Sequence, residues 1–273
     1  MMIVSAFADE AGESVIRQME ALKRNGLKYI DVRAIDGKNV AEMSLVECER
    51  YRAVFDDNGI KVNCLASPIG KVDISVDFVS YMKLFEEILE KARIFGTDKI
   101  RIFSFYHSKG RCGEVVYRLQ TMVERAQRRD ILLYHENELG IYGERVADVL
   151  ALKKNVQGLK FLYDPANFVL VGQEIGSAED LLLSDCEFFH IKDATYDGKI
   201  VPAGEGDGDI VGAHKKAKVK FATLEPHLTE FDGYGSIDQR KIKSRYVFAD
   251  GDEAFDYGVS AYKKILKEVD QNG

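Results

Sequence analysis

The chain has 273 residues, 46% of them hydrophobic and 30% charged, an ordinary globular composition that excludes disorder as a description of the whole. Lys and Arg total 38 against 45 Asp and Glu, and the resulting net charge of −7 argues against a nucleic-acid partner because such a surface repels phosphates. No apolar run approaches the ~20 residues that span a bilayer, and Met1–Phe7 has neither a basic region nor a long apolar core, so no membrane segment or signal peptide is expected.

Cys48, Cys64, Cys112 and Cys186 lie far apart without CxxC spacing and read as reduced, buried thiols of a cytoplasmic protein. In chain order, short apolar runs alternate with longer amphipathic ones. Ile3–Ala8 reads as a strand. Val15, Ile16, Met19 and Leu22 then recur at helical spacing up to Gly26. Tyr29–Val32 is the second strand. Ser44-Leu45-Val46-Glu47 is a capping box opening a helix that ends near Gly59. Lys61–Ala66 is the third strand, and Phe78–Phe95 carries the clearest helical pattern, stopped by Gly96.

Lys99–Phe105 is the fourth strand, followed by a helix over Val115–Ala126. Asp130–Glu136 is the fifth, with a helix near Glu144–Lys154. Leu159–Tyr163 is the sixth, with a short helix near Ala178–Leu183. Cys186–Ile191 is the seventh. A glycine-rich loop, Ala203–Asp209, leads to a weak helix near Ile210–Ala217, and Lys218–Leu224 is the eighth strand. A polar excursion, Phe231–Asp252, precedes a last helix over Ala254–Val269.

The strands end near residues 9, 33, 67, 104, 136, 164, 190 and 225, a period of about 30 residues. Eight such units with no linker predict a single (β/α)8 TIM barrel over residues 1–273, an α/β fold, with a doubly wound open sheet as the rival. In such a barrel the chemistry sits at the C-terminal strand ends. Four consecutive strands end in Glu136, Asp164, His190 and Glu225. Neighbouring strands are ~4.8 Å apart, so these side chains can converge on one ion. Three carboxylates packed together repel, and a divalent cation removes that cost. Three oxygens and one imidazole suit Mn²⁺, Mg²⁺ or Co²⁺, with Zn²⁺ or Fe²⁺ also compatible. Taken singly, Asp164-Pro165 is a turn opener, His190 a core histidine, and the glutamates surface charges. The coincidence on four successive strands favours a metal site.

These strand ends resemble the sugar phosphate isomerase/epimerase family, the xylose isomerase-like TIM barrels. The shared motifs are Glu136-Asn137, Asp164-Pro165-Ala166-Asn167, His190-Ile191-Lys192-Asp193 and Glu225-Pro226. The loop Gly204-Glu205-Gly206-Asp207 and the opening Phe7-Ala8-Asp9-Glu10 match as well. The resemblance implies that Glu136, Asp164, His190 and Glu225 hold a divalent metal ion. It also implies that Glu136 and Glu225 are catalytic, moving protons on opposite faces of a keto-sugar.

Lys192, two residues past His190, shares its face and is a candidate donor to a substrate oxygen or phosphate. Its other reading is a solvated lysine. Arg33 can reach the same mouth or form a surface salt bridge. His107 near the rim is a further candidate substrate contact, while His107, His135 and His227 also suit supporting polar roles. The chain departs from the best-known ketohexose epimerases of the family. Asn167 stands where they have a histidine, Tyr142 where they have a substrate-binding glutamate, and Tyr196 where they have an arginine. The metal site therefore transfers better than the substrate contacts.

The expected function is a metal-dependent isomerase or epimerase of a small sugar, sugar phosphate or keto-polyol, acting through an enediolate. The alternatives are a lyase of the inosose-dehydratase type on the same site, and a sugar-binding barrel without turnover. The abasic-site endonucleases of the same barrel need more histidines than the five present and a less acidic surface. The expected partner is a small carbohydrate, and the Phe231–Asp252 stretch is long enough to contact a second copy in a homo-oligomer.

Overall fold

The computed structural model describes residues 2–231, 241–244 and 246–271. Its main sheet has eight strands: β1 (Ile3–Ala6), β2 (Tyr29–Val32), β3 (Lys61–Ala66), β4 (Lys99–Ile102), β5 (Leu132–Glu136), β6 (Lys160–Tyr163), β7 (Phe188–Ile191) and β8 (Phe221–Leu224). All neighbours pair in parallel, in the order β1-β8-β7-β6-β5-β4-β3-β2. β1 and β2 also lie side by side, so the sheet curls into a nearly closed TIM barrel. The open-sheet alternative is excluded.

Helices alternate with the strands: α1 (Val15–Arg24), α2 (Leu45–Asp57), α3 (Phe78–Phe95), α4 (Cys112–Gln127), α5 (Val146–Asn155), α6 (Pro165–Leu170), α7 (Ile175–Leu182), α8 (Ile210–Lys216) and α9 (Gly251–Gln271). The Ser44–Glu47 capping box forms with both of its hydrogen bonds. The core between helices and strands is apolar and fully covered, with Leu22, Phe55, Phe85, Leu89, Leu119 and Phe255 among its members.

Strand ends differ most from the sequence expectation. Ile3–Ala8 stops at Ala6 because Ala8–Glu10 turns into a 3₁₀ helix, and Lys99–Phe105 stops at Ile102, with Phe105 at φ 72°. These residues leave the ladder to build the rim. The helix α6 lies where the sequence offers a turn opener, Asp164-Pro165, and no helical pattern. Asp164 caps it, accepting from the Asn167 N–H, and Pro165 occupies its first position. Two short hairpins, Ala34–Ile35 with Lys38–Asn39 and Asp193–Ala194 with Ile200–Val201, were also unforeseen. Three cysteines are buried, but Cys112 is partly exposed at the start of α4, and all four are free thiols. Of the Phe231–Asp252 excursion, residues 232–240 and 245 lie outside the described residues.

Inside the barrel a polar network ties the β1/β2 seam. Asn63 of β3 donates to Ser5 of β1 at 3.3 Å and to Asp31 Oδ1 of β2 at 2.8 Å. Thr223 of β8 donates to Asp31 Oδ2 at 2.7 Å. The β2–β3 register slips between Ile30 and Asp31, a bulge at the residue whose side chain enters the network.

Candidate metal centre

The ends of β5, β6, β7 and β8 converge as their spacing predicts. Ligand atoms of Glu136, Asp164, His190 and Glu225 all lie within 4.8 Å of one another, and all four residues are buried. His190 Nδ1 stands 3.1 Å from Glu136 Oε1 and 2.9 Å from Glu225 Oε2. The Phe7 ring meets the imidazole edge-on, with centroids 5.2 Å apart. Asn137 clamps the Asp164 backbone at both polar groups: its Nδ2 donates to the carbonyl at 2.8 Å and its Oδ1 accepts from the N–H at 2.9 Å. Asn167 donates to the Asn137 carbonyl at 2.9 Å, linking the ends of β5 and β6. Such supporting bonds fix the orientation of ligand side chains.

The electrostatics fit a divalent cation. Asp164 Oδ2 and Glu225 Oε2 are buried and accept no hydrogen bond from the described residues. Lys192 Nζ lies 2.7 Å from the first of these oxygens and His190 Nδ1 2.9 Å from the second, but as ion-pair approaches outside hydrogen-bond geometry. Burial pushes the Asp164 carboxyl up to about 7 despite Lys192 beside it. Burial opposes a charge on His190, yet Glu136 and Glu225 overcome it and hold the imidazole up at about 9. Burial also acts against the two glutamates, but the cations facing each keep both below the usual carboxylate range: His190 and Arg101 for Glu136, and Lys192, His227 and His190 for Glu225. A metal ion displaces protons from its ligands, and here the protons at issue sit on His190 and Asp164. Burial likewise pushes the Glu10 carboxyl up to about 8, against the pull of Arg33 beside it.

A family model described as "Xylose isomerase-like TIM barrel" matches residues 19–273. The chain belongs to that family. A search of the curated proteins finds no match. Among solved structures, the fold is similar to that of D-psicose 3-epimerase in the presence of D-fructose, at 17% identity and a TM-score of 0.73 over 96% of this chain and 98% of that one. It is similar to the probable 3-DHS dehydratase of petrobactin synthesis from Bacillus anthracis, at 16% identity and a TM-score of 0.70 over 96% and 99%. It is also similar to a xylose isomerase-like TIM barrel protein from Mycobacterium smegmatis in complex with magnesium, at 14% identity and a TM-score of 0.70 over 97% of each chain. At these identities the likeness concerns the fold.

In this xylose isomerase-like barrel the residues expected to touch a substrate are placed very differently. Lys192 is in the cluster, buried, and 3.9 Å from Glu225 Oε2. Burial works against its charge, but Asp164, Glu225, Glu138 and Glu136 together outweigh burial and raise its pKa. Arg33 is no surface salt bridge. It is buried behind Glu225, donating to Glu225 Oε1, Asp9 and Glu10. His107 is 82% exposed on the outer rim, where Nδ1 meets Asp73 Oδ2 at 2.6 Å. It lines a cavity of about 400 Å³ with Lys109, Tyr142, Glu144 and Arg145, and no metal-cluster residue lines that cavity. His135 faces away from the mouth and pairs with Ser104 Oγ at 2.8 Å, held neutral by burial, its pKa lowered to about 4. Tyr196 lies on the surface, its hydroxyl donating to the Gln173 carbonyl.

Arg101 was missed. Its Nη1 donates to Glu136 Oε2 at 2.7 Å, and its Nη2 to the Ala66 carbonyl. The signal was available: in Lys99-Ile100-Arg101-Ile102 a lone arginine alternates with two isoleucines in a strand. The glycine-rich loop also has a structural account. Asp193 accepts the backbone N–H groups of Gly204, Gly206 and Gly208 at 2.9–3.1 Å. A Cβ on Gly206 would come 2.3 Å from Asp193 Oδ1, so only glycine allows the backbone this close.

Proposed function

We propose that this chain is a metal-dependent isomerase or epimerase of a small keto-sugar or related polyol. The observation that carries the reading is the buried convergence of Glu136, Asp164, His190 and Glu225 on one ion-sized volume. Three oxygens and a nitrogen favour Mn²⁺, Mg²⁺ or Co²⁺, with Zn²⁺ or Fe²⁺ compatible. Such an ion supplies Lewis-acid polarisation of a carbonyl and its neighbouring hydroxyl, stabilising an enediolate.

The chain's own residues do the rest. Glu136 and Glu225 come from β5 and β8 and flank the strands of Asp164 and His190, so a flat substrate between them meets a carboxylate on each face. One removes the proton next to the carbonyl and the other returns one, a contribution of ~10²–10⁴-fold. Arg101 behind Glu136 and Arg33 behind Glu225 fix both carboxylates in direction, and Arg101 also helps to keep Glu136 ionised. Lys192 offers a charged donor to a substrate oxygen.

That lysine also favours a second reading, a dehydratase. An ammonium in the cluster can protonate a departing hydroxyl, turning the same enediolate toward loss of water.

The test is a screen of keto-sugars, inososes and sugar phosphates in D₂O with Mn²⁺. Deuterium wash-in at one carbon without mass loss supports the epimerase, and loss of water supports the dehydratase. Metal-independent turnover, or no exchange on any of these substrates, counts against both.

A further inference from the structure

Glu225 belongs to two buried ligand groups. With Glu10 and His227 it forms a second trio whose ligand atoms also lie within 4.8 Å of one another. This second position already holds a cation. Arg33 Nη1 donates to Glu225 Oε1 at 3.1 Å and stands 3.3 Å from His227 Nε2. Its Nη2 donates to Glu10 Oε1 at 3.2 Å. Asp9 takes the other edge of the guanidinium, with Nε and Nη2 donating to its two oxygens at 2.9 and 3.1 Å. The Arg33 side chain is 1% exposed, and its Cζ lies 4.2 Å from the centre of the Phe7 ring and 5.3 Å from that of Phe231. One guanidinium thus touches every member of the second trio.

We propose that Arg33 is a built-in cation occupying the second metal position of a two-cation centre. Glu225 would then be shared between one divalent ion and the guanidinium that already donates to its Oε1, and the protein would take up one metal ion per chain where its ligand groups could hold two. The proposal rests on the metal reading of the first cluster. Its physical basis is that arginine is never deprotonated in proteins and its planar fork pairs bidentately with carboxylates. The second position is therefore filled whatever the metal supply. Without Arg33, Asp9 and Glu225 lose their compensating charge and Glu10 its donor, and a divalent cation becomes the group that takes their place.

The experiment compares Arg33→Met, which keeps an unbranched stem but removes the charged head, with Arg33→Lys, which keeps the charge. Bound Mn²⁺ per chain is counted after equilibrium dialysis at millimolar Mn²⁺. The electron paramagnetic resonance spectrum then reports whether two ions share a carboxylate, because they couple. The expected result is one uncoupled ion in wild type and in Arg33→Lys, and two coupled ions in Arg33→Met. The second ion is lost again when His227→Ala is added. One ion in a folded Arg33→Met protein, or two in wild type, overturns the proposal. If Arg33→Met is unfolded without metal, the proposal requires millimolar Mn²⁺ to fold it with two ions bound, and failure to recover overturns it. A wild-type chain that binds no ion is a different outcome, which overturns the metal reading and this inference with it.

Discussion

In the barrel interior, Asp31 has both oxygens occupied by neutral donors, Asn63 at 2.8 Å and Thr223 at 2.7 Å, and Ser5 closes the group against Thr223 at 2.8 Å. In the mouth, Asp164 and Glu225 each keep a buried oxygen without a hydrogen-bond donor while cations stand around them. Both carboxylate groups are buried to a similar degree. The interior network answers burial by local satisfaction, with Asn63 Oδ1 its one atom lacking a partner, and its carboxyl is pushed up by burial with no charged residue hydrogen-bonded to it. The mouth answers burial with charge. A satisfied buried network ties strands together, whereas buried carboxylate oxygens held only by ion pairs are suited to exchanging those partners for a bound ion.

The comparison breaks first at the two glutamates. Glu136→Gln or Glu225→Gln keeps a ligand oxygen and removes a base, so kcat should fall by at least ~10² with a smaller change in KM. Deuterium exchange should become one-sided, each variant labelling a different epimer. Near wild-type turnover in either variant would move the base elsewhere.

Next in size is ligand loss. His190→Ala or Asp164→Ala should lower metal affinity by more than the ~10–100-fold that outer-shell changes cost, with the circular dichroism spectrum unchanged. Retained occupancy in both would remove these residues from the site.

A smaller and graded effect is pH. Ligation needs His190 neutral, against a pKa of about 9, and Asp164 ionised, against about 7. Apparent metal affinity should therefore rise with pH, steeply below about 7, more gently up to about 9, and then level off. Binding calorimetry in two buffers of different ionisation enthalpy counts the released protons. Affinity independent of pH over this range would contradict the charge assignment.

The smallest effect marks the other side of the comparison. Thr223→Val leaves Asp31 Oδ2 without its donor inside the barrel and should cost ~1–3 kcal/mol of stability in chemical denaturation. Its metal affinity should match wild type. A loss of metal binding instead would mean that the two clusters are one.

What the sequence made legible follows from these same forces. The barrel was readable because each βα unit repeats its apolar period, and the convergence of Glu136, Asp164, His190 and Glu225 was readable because they sit at strand ends, a position fixed by that period. Lys192 was found by counting two residues from His190. Arg33 and Asp31 were harder, since their partners Asp9, Glu225, Asn63 and Thr223 lie on other strands and meet only when the barrel closes. The helix α6 was hidden because Asp164-Pro165 opens a turn and a helix with the same residues. His107 shows the opposite failure: proximity to a strand end in sequence does not place a side chain in the mouth, and its left-handed backbone, at φ 53°, accompanies a ring turned to solvent.

The most direct test is titration of Mn²⁺ into wild type, Asp164→Ala and Thr223→Val side by side. The account predicts one ion per chain with equal affinity in wild type and Thr223→Val, and no binding by Asp164→Ala at the same concentrations. Wild-type binding by Asp164→Ala, or no binding by the wild-type chain, would contradict it.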